Sequence, residues 1–357
     1  MDYSAISLTA LEQRWPKAWG EATGHGVMRQ QNDDFVVEEI PLVTPSGEGE
    51  HLFLWIEKTG ANTAWVAGQL AQEAGIQGRD VSYAGRKDRH ARTRQYFSLH
   101  LPGKEDPPWR NWQIEGVSIL SAARHVKKLR RGALAGNRFQ LVIRGVSGTV
   151  EQLDKKLERI AGGGVPNYFG PQRFGRNGAN IYKAAQLLEQ RKRFPRNVRN
   201  ILVSSARSLV FNDLLAARVR AGTWNNLLPG DIVQLAGSQS RFRVAEPDGE
   251  LLQRCADFDI TATGPLPGDD EPGHEAAEGE NTIFEAHAEW VTALKNMRVA
   301  SDRRPLRLAV KNLHWQHGEQ SLQLDFELPA GAYATSVLRE LLDCEDAAAA
   351  VSPGRED

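Results

Sequence analysis

Residues 81–99 read VSYAGRKDRHARTRQYFSL and set one carboxylate, Asp88, among six basic or imidazole side chains. Val81–Tyr83 has the pattern of a strand end and Gln95–Leu101 that of a second strand, so Asp88 is predicted on a loop between two rigid flanks. Composition leaves two interpretations open. Asp88 either pairs with its basic neighbours on a solvated surface, or it is an ionised, positioned acid beside a surface that attracts a polyanion.

Strand patterns surround this loop in the first part of the chain. They cover Gly26–Arg29, Asp34–Ile40, His51–Ile56, Val117–Ala122 and Asn137–Ile143. A helix capped by Asn62 or Thr63 is predicted just before the loop, because apolar residues then recur at helical spacing.

A triple glycine, Gly162–Gly164, follows an amphipathic helix at Thr149–Ile160 and marks the first domain boundary. Two helix patterns and then two strand patterns follow, at Ile181–Gln190, Leu202–Ala221, Leu306–Val310 and Leu322–Leu328. The sequence therefore predicts an α+β domain that is built from both chain ends and interrupted by an inserted domain. The tail beyond Cys344 is predicted to be poorly ordered.

The formal net charge of the 357 residues is only −1, yet the charges are unevenly placed. Basic residues concentrate in Arg86–Arg94, Arg124–Arg131 and Arg191–Arg199, whereas acidic residues gather between Asp269 and Glu280. This layout predicts a basic face suited to a polyanion and a separate, exposed acidic loop.

Cysteine usage and hydropathy predict the compartment. Cys255 and Cys344 are the only cysteines, and neither has a Cys or His neighbour at metal-ligand spacing. We therefore expect a reducing, cytoplasmic setting with no disulfide and no metal site. The N-terminal residues lack the apolar core of a signal peptide and no stretch reaches transmembrane length, so no membrane partner is expected.

The chemistry is predicted to come from side chains, because phosphate-loop, dinucleotide-binding and His-rich metal motifs are missing from the sequence. Nearby cations favour the ionised form of Asp88, which keeps it available as a nucleophile or a base. His90 is a catalytic partner of Asp88, a phosphate contact or an ordinary surface residue. A glycosidase would need a second carboxylate, which Glu38 or Glu39 could supply in the fold.

Other segments admit an RNA-binding role beside a plain structural one. Phe35 and Phe139 are either core residues or a base-stacking platform next to polar side chains. The basic residues of Arg124–Arg131 are either solvated charges or phosphate contacts. The loop Asn167–Gly175 either packs a domain junction or holds RNA backbone.

Four of these segments resemble the motifs of the TruD family of pseudouridine synthases. The catalytic signature is matched by Ala84-Gly85-Arg86-Lys87-Asp88 with Ala91, Thr93 and Gln95. The second motif is matched by Lys128-Leu129-Arg130, Gly132 and Gly136-Asn137-Arg138-Phe139, and the third by Asn167–Gly175. The last is matched by Leu328–Thr335 with Leu338-Arg339-Glu340, so the motifs run in family order over most of the chain.

The resemblance implies the isomerisation of uridine to pseudouridine in tRNA, at position 13, without a cofactor. Asp88 matches the catalytic aspartate, and Phe35, Asn137 and Phe139 match positions around the target uridine. Tyr333 stands where the family often has Phe, which keeps the ring and adds a hydroxyl. A further set of basic residues is expected to support the site or contact RNA: Arg29, Lys87, Arg89, Lys127, Lys128, Arg130 and Arg173.

The implied fold is a pseudouridine-synthase catalytic domain with a mixed, largely antiparallel sheet flanked by helices. Its expected bounds are residues 1–161 and 308–357, with an inserted α/β TRUD domain at 162–307. The expected partner is tRNA, and nothing in the sequence indicates an obligate protein partner. A non-catalytic RNA-binding protein and a nucleoside hydrolase are the alternatives, and the choice between nucleophile and base for Asp88 stays open.

Overall fold

The computed structural model describes residues 8–269 and 278–350. The acidic loop predicted between Asp269 and Glu280 therefore lies largely outside the described residues. The strands, in chain order, are β1 His25–Met28, β2 Phe35–Pro41, β3 His51–Thr59, β4 Val81–Tyr83, β5 Arg92–His100, β6 Val117–His125, β7 Leu134–Arg144, β8 Val165–Pro166, β9 Ile232–Leu235, β10 Arg241–Arg243, β11 Ile260–Leu266, β12 Asp302–Pro305, β13 Arg307–Leu308, β14 Lys311–Gly318, β15 Ser321–Pro329 and β16 Asp343–Asp346.

The helices are α1 Leu8–Arg14, α2 Thr63–Glu73, α3 Val150–Gly163, α4 Ala179–Leu188, α5 Arg196–Arg220, α6 Gly249–Ala256, α7 Asn281–Ala286, α8 Ala288–Asn296, α9 Ala334–Leu341 and α10 Ala347–Ala350. Short 3₁₀ turns lie at Asn32–Asp34, Gly78–Asp80, Trp109–Asn111, Pro171–Phe174, Arg176–Gly178 and Glu278–Glu280. Over the described ranges, no helix is long and apolar enough to cross a membrane.

The chain divides into two compact units. The described part of the first, which we call the sheet unit, comprises residues 22–157, 310–334 and 341–350. The second, the helical unit, comprises residues 8–21, 158–269, 278–309 and 335–340. The divisions at 157/158 and 309/310 lie within a few residues of the boundaries predicted from sequence. Residues 8–21 and 335–340 group with the helical unit, whereas the bounds expected from the sequence place them in the catalytic domain.

The sheet unit is built on one large mixed sheet. Its strand order is β14-β15-β7-β2-β5-β3-β6, with β1 beside β7, β16 beside β1, and β4 beside β5. Only the β2–β5 and β1–β16 pairs among these are parallel. The prediction of an α+β fold with a mixed, largely antiparallel sheet is therefore confirmed.

One cross-strand row on a buried face of this sheet organises the region around Asp88. Phe326, Phe139, Val37, Thr93 and Lys58 stand side by side on five neighbouring strands. Residues that are paired across a sheet share a face, so this row runs from aromatic rings at one end to a lysine at the other. All five side chains are buried.

Helix α2 covers another part of the same face. Its buried residues Val66 and Leu70 pack with Leu54, Phe97 and Leu99 of β3 and β5. The helix begins at Thr63 as predicted and ends at Glu73, two residues before Gly75, whose φ is +60°. Burying a side chain such as Leu70 contributes about 2 kcal/mol, which fixes the helix against the strands that carry the Asp88 loop.

The helical unit combines helices with small antiparallel sheets. One sheet has the order β10-β9-β11-β12, and β8 pairs with β13. The long helix α5 supplies much of the core through Leu209, Phe211 and Leu214. The loop Asn167–Gly175 also joins this core, because Tyr168, Phe169 and Phe174 are buried.

The prediction of a poorly ordered tail is wrong for residues 345–350. Asp343–Asp346 forms β16, which pairs in parallel with His25–Met28 of β1, and α10 follows. Polar residues such as Asp343 and Glu345 give the tail no strand pattern of its own. β16 instead pairs along the edge of β1 that does not face β7, and so gives the β1 backbone groups on that side their hydrogen-bond partners.

Candidate active site

The loop that carries Asp88 leaves and re-enters the same sheet. β4 pairs antiparallel with the second half of β5, with Val81 opposite Leu99 and Tyr83 opposite Phe97. Ala84 and Ala91, at the two ends of the loop, are 3% and 0% exposed, so both ends are anchored in the core. The predicted arrangement of strand, loop and strand is what the structure shows.

The carboxylate of Asp88 faces solvent on one side and a guanidinium on the other. Its side chain is 50% exposed, and Arg29 Nη2 lies 3.5 Å from Asp88 Oδ2. The Arg29 side chain is only 9% exposed, and its Nη1 donates to Asp346 Oδ2 at 3.2 Å. Arg29 is therefore shared by two carboxylates, one of them on the C-terminal strand β16.

Arg29 is held by its backbone as well as by its charges. Its φ is +60°, in the left-handed region that non-glycine residues rarely adopt. Its guanidinium carbon lies 4.1 Å from the centroid of the Phe35 ring, which is the geometry of a cation–π contact. Arg29 thus connects the acid to the aromatic part of the site.

A second cation, Lys58, holds the loop from inside. Lys58 Nζ donates to the backbone oxygens of Asp88 and Ala61, both at 2.8 Å, and the residue is 0% exposed. Desolvation lowers the pKa of Lys58 to about 8; Asp88 opposes that change and Lys87 adds to it. The ammonium group therefore fixes the position of the main chain that carries the Asp88 side chain.

Two further side chains complete the support of the loop. Gln95 Nε2 donates to the Gly85 oxygen at 2.9 Å. The Thr63 hydroxyl oxygen, at the start of α2, accepts the Lys87 N–H at 3.0 Å, and the same hydroxyl lies 3.3 Å from Gln95 Oε1. Gln95 belongs to the signature noted in the sequence, and the structure gives it this supporting contact.

Lys87 supports the site from a buried position. Its Nζ lies 3.1 Å from Glu39 Oε2, with the two side chains 5% and 1% exposed. Burial raises the pKa of Glu39, and the Lys87 ammonium opposes that rise. The sequence left open whether Glu38 or Glu39 approaches Asp88 as a second acid. Glu39 instead pairs with Lys87, and Glu38 pairs with Arg94 at 3.0 Å.

Three phenylalanines form an aromatic floor next to Arg29. The Phe35 and Phe139 rings are 6.4 Å apart at 77°, and Phe139 stacks on Phe326 at 5.5 Å and 24°. Phe35 and Phe139 are 2% and 5% exposed, so they serve the core and offer little surface to a ligand. Phe326 has no motif to mark it in the sequence and emerges only from the β7–β15 pairing.

Two other predicted base-contacting residues lie on neighbouring elements. Asn137 precedes Phe139 by two residues on β7 and therefore faces the same side of the sheet. Its side-chain oxygen is buried and has no hydrogen-bond partner among the described residues. Tyr333 is half-buried in the turn between β15 and α9.

The predicted basic residues divide into three groups. Arg89 is exposed and its Nε donates to the Gly60 oxygen at 3.3 Å. An exposed group on the turn between β6 and β7 comprises Lys127, Lys128, Arg130 and Arg131. Arg173 belongs to the helical unit, where its guanidinium donates to Ser204 Oγ at 3.0 Å and lies 5.2 Å from the Phe169 ring.

The residues that sequence reasoning missed share one property. Lys58 and Asp346 reach the site through pairing between strands that are distant in sequence. Lys58 did carry a signal, since it is a lysine at an inward position of a strongly apolar strand. Such a buried cation requires polar partners, which the Asp88 loop supplies.

The sequence of this chain matches a family model and the sequences of known proteins. The family model described as tRNA pseudouridine synthase D (TruD) matches residues 18–192 and 184–341. A protein named tRNA pseudouridine synthase D from Hydrogenovibrio crunogenus is 43% identical over 91% of this chain and 95% of its own length. One of the same name from Methylococcus capsulatus is 44% identical, over 92% and 94% respectively.

The fold is also similar to a solved structure. A crystal structure from Methanosarcina mazei, of a protein assigned as tRNA pseudouridine synthase D, superposes with a TM-score of 0.71. The match covers 93% of this chain and 97% of that one, at 22% sequence identity, so it supports the fold. On the family match and on the identity to these relatives, the chain belongs to the TruD family.

Proposed function

We propose that this protein isomerises uridine to pseudouridine in tRNA, at position 13, with Asp88 as the catalytic residue. The observation that carries the proposal is the way Asp88 is held. Arg29 contacts its carboxylate at 3.5 Å, and buried Lys58 donates to its backbone oxygen at 2.8 Å. A half-exposed acid supported by two largely buried cations is suited to act on a substrate that approaches from solvent.

The reaction needs the uracil to be detached and kept. The C1′–N1 bond breaks, the base rotates, and a C1′–C5 bond forms; C5 releases its proton and N1 gains one. Asp88 acts either as the nucleophile at the ribose or as the base that removes a sugar proton, and the geometry is compatible with both. Keeping the free base enclosed separates an isomerase from a hydrolase.

The uridine must leave its stack before Asp88 can reach it. Flipping a base out costs a few kcal/mol, and new contacts must offset that cost. Phe35 and Phe139, which expose little surface, are proposed to support the bottom of the uridine site from the core, and Tyr333 to bring its ring to the rim. The unpaired buried oxygen of Asn137 suits the imide N–H of uracil, because a buried acceptor needs a donor.

The two units are proposed to divide the work. The sheet unit, which carries Asp88, Arg29 and Lys58, serves as the catalytic domain, and the residues between 158 and 309 serve as the inserted TRUD domain. The exposed basic turn with Lys127, Lys128 and Arg130 is proposed to contact the RNA backbone, and Arg89 to do so beside the acid. The free cysteines Cys255 and Cys344 support a reducing, cytoplasmic site of action. The reaction is proposed to need no cofactor.

The test follows tritium that is carried at uridine C5 of unmodified tRNA. The wild-type protein is expected to release tritium, whereas Asp88→Asn, which keeps size and removes the charge, is expected to bind tRNA without release. A wild type that binds tRNA and releases no tritium would support a binding module instead. Free uracil among the products would indicate a hydrolase.

A further inference from the structure

A groove of about 600 Å³ lies in the sheet unit beside the Asp88 loop. One wall is the face of α2 that carries Ala64, Ala67 and Gly68. The floor is β4 with Tyr83 at its end, and the other wall is the turn at residues 128–131. We call this the α2 groove. Its volume is in the range of sites that bind small molecules or single nucleotides.

The rim of the α2 groove is basic. Arg79, Lys128, Arg130 and Arg131 line it, and its described lining includes no acidic side chain. Arg79, Arg130 and Arg131 are exposed, and Lys128 Nζ contacts the Arg79 backbone oxygen at 3.3 Å. Four cations around a concave surface favour a polyanion over a neutral or cationic ligand.

The interior of the groove is lined by small side chains on the α2 wall and is partly apolar. The α2 wall has only methyl groups or hydrogen beyond the backbone, and a Cβ added at Gly68 would meet no atom within 4 Å. The ring of Tyr83 and the side chain of Leu129 border the same space. β4 pairs with β5 on one side, and among the described strands nothing pairs with its other edge. Flat walls, a ring and free backbone groups are the features that receive an unstacked base.

The groove shares its supports with the catalytic loop. Thr63, whose hydroxyl accepts the Lys87 N–H, immediately precedes Ala64 of the α2 wall. Gly132, next to the basic turn, donates its N–H to the Ala84 oxygen at 2.8 Å. An RNA strand that presents a uridine to Asp88 therefore passes close to this groove.

We propose that the α2 groove receives one unpaired nucleotide of the tRNA substrate, different from the uridine that meets Asp88. Its base enters between α2 and the Tyr83 ring, and its flanking phosphates lie on Arg79 and the basic turn. This inference rests on the proposed function, because it assigns a second contact to the same RNA. The groove would then help to draw the reacting uridine out of its stack, by holding its strand open nearby.

A variant that fills the groove tests whether a base of the RNA enters it or whether the RNA is attracted only by the surrounding charges. Gly68→Leu places a side chain in the open space and leaves every charge in place, and Leu is the better helix former. Gln72→Leu is the matched control, since Gln72 is exposed on the same helix and does not line the groove. Both variants and the wild type are compared by thermal melting, by the Kd for tRNA, and by the single-turnover rate at saturating tRNA.

We expect Gly68→Leu to raise the Kd for tRNA at least tenfold with a melting temperature no lower than that of the wild type, and Gln72→Leu to change the Kd less than twofold. Base-stacking contacts have effects of this size. Equal Kd values for the two variants would overturn the proposal. Uridine 5′-monophosphate and inorganic phosphate test whether the groove binds a free small anion instead. The proposal fails if either compound raises the melting temperature of the wild type but not of Gly68→Leu, while the wild type and Gly68→Leu bind tRNA with the same Kd. The groove would then be a small-anion site.

The proposed function fails on a different result. It fails if the wild type releases no tritium from tRNA, whatever the variants do to the Kd. A tenfold loss of tRNA affinity in Gly68→Leu would support the groove contact even in that case.

Discussion

Replacing Lys58 tests whether the main chain at Asp88 must be held by a charge. Lys58→Met keeps the length and burial of the side chain but removes the ammonium that donates to the Asp88 and Ala61 oxygens. This substitution changes the free energy of unfolding in two opposite ways. Two charge-assisted hydrogen bonds contribute ~1.5–3 kcal/mol each and are lost. The change in Lys58 pKa from 10.5 to about 8, the net result of burial, Asp88 and Lys87, corresponds to a cost of about 3 kcal/mol for the charged form, and this cost is regained.

The variant is therefore expected to fold, with a net loss of stability of about 0–3 kcal/mol. Turnover should suffer more, because the loop that carries Asp88 is no longer fixed. A displacement of about 1 Å at a reacting group costs ~100-fold in rate. We expect kcat to fall about 10- to 100-fold, with the Kd for tRNA changed less than threefold, because Lys58 is fully buried and cannot touch RNA.

The pH dependence gives an independent measurement. In the folded protein Lys58 loses its proton near pH 8, while in the unfolded chain it does so near 10.5. Between these values the unfolded chain binds more protons, so the contribution of Lys58 to stability rises with pH. Its charge on the Asp88 loop is lost in the same window, and kcat should fall above pH 8.

The control for both measurements is Lys155→Met, which removes an exposed ammonium paired with Glu151 on α3. It should retain wild-type kcat and the wild-type pH profile. If Lys58→Met kept both the rate and the alkaline fall of the wild type, the positioning role of Lys58 would be refuted.

Three further outcomes can be measured. Glu39→Gln leaves a buried ammonium without its carboxylate, and we expect a loss of ~3–5 kcal/mol of unfolding free energy in urea; a loss below 1 kcal/mol would show that this ion pair is not needed. Asp346→Asn weakens the contact that holds Arg29, so kcat for tritium release should fall several-fold. The control Glu345→Gln, on the same strand, should leave kcat unchanged. Equal kcat values for the two variants would show that β16 does not contribute to the site. A third variant replaces four residues of the exposed basic turn with alanine: Lys127, Lys128, Arg130 and Arg131. The slope of log Kd for tRNA against log salt concentration should fall by about 3. An unchanged slope would show that the RNA binds elsewhere.

Local patterns were enough to predict the elements around Asp88. Strand alternation at β5 and the helix start at Thr63 depend on neighbouring residues, so the sequence indicates them directly. The domain interruption near Gly162 is predicted from a change in pattern and stays a prediction. The arrangement of strand, loop and strand needed no knowledge of the remaining chain.

Contacts across the sheet could not be predicted in this way. Lys58 lies beside Thr93 only because β3 pairs with β5 in one register, and Phe326 lies under Phe139 only because β15 pairs with β7. A shift of one residue would turn either side chain to the opposite face. The register is set by the packing of whole strands, which a single sequence does not display.

The β1–β16 pair also bears on how the protein is made. Arg29 leaves the ribosome before Asp346, the carboxylate that shares it, because 317 positions separate the two residues. During translation the Arg29 guanidinium lacks its contact with Asp346 while the intervening strands and helices emerge. The setting of Arg29 beside Asp88 is therefore completed only after Asp346 has emerged, and until then Arg29 lacks one of its two carboxylate contacts.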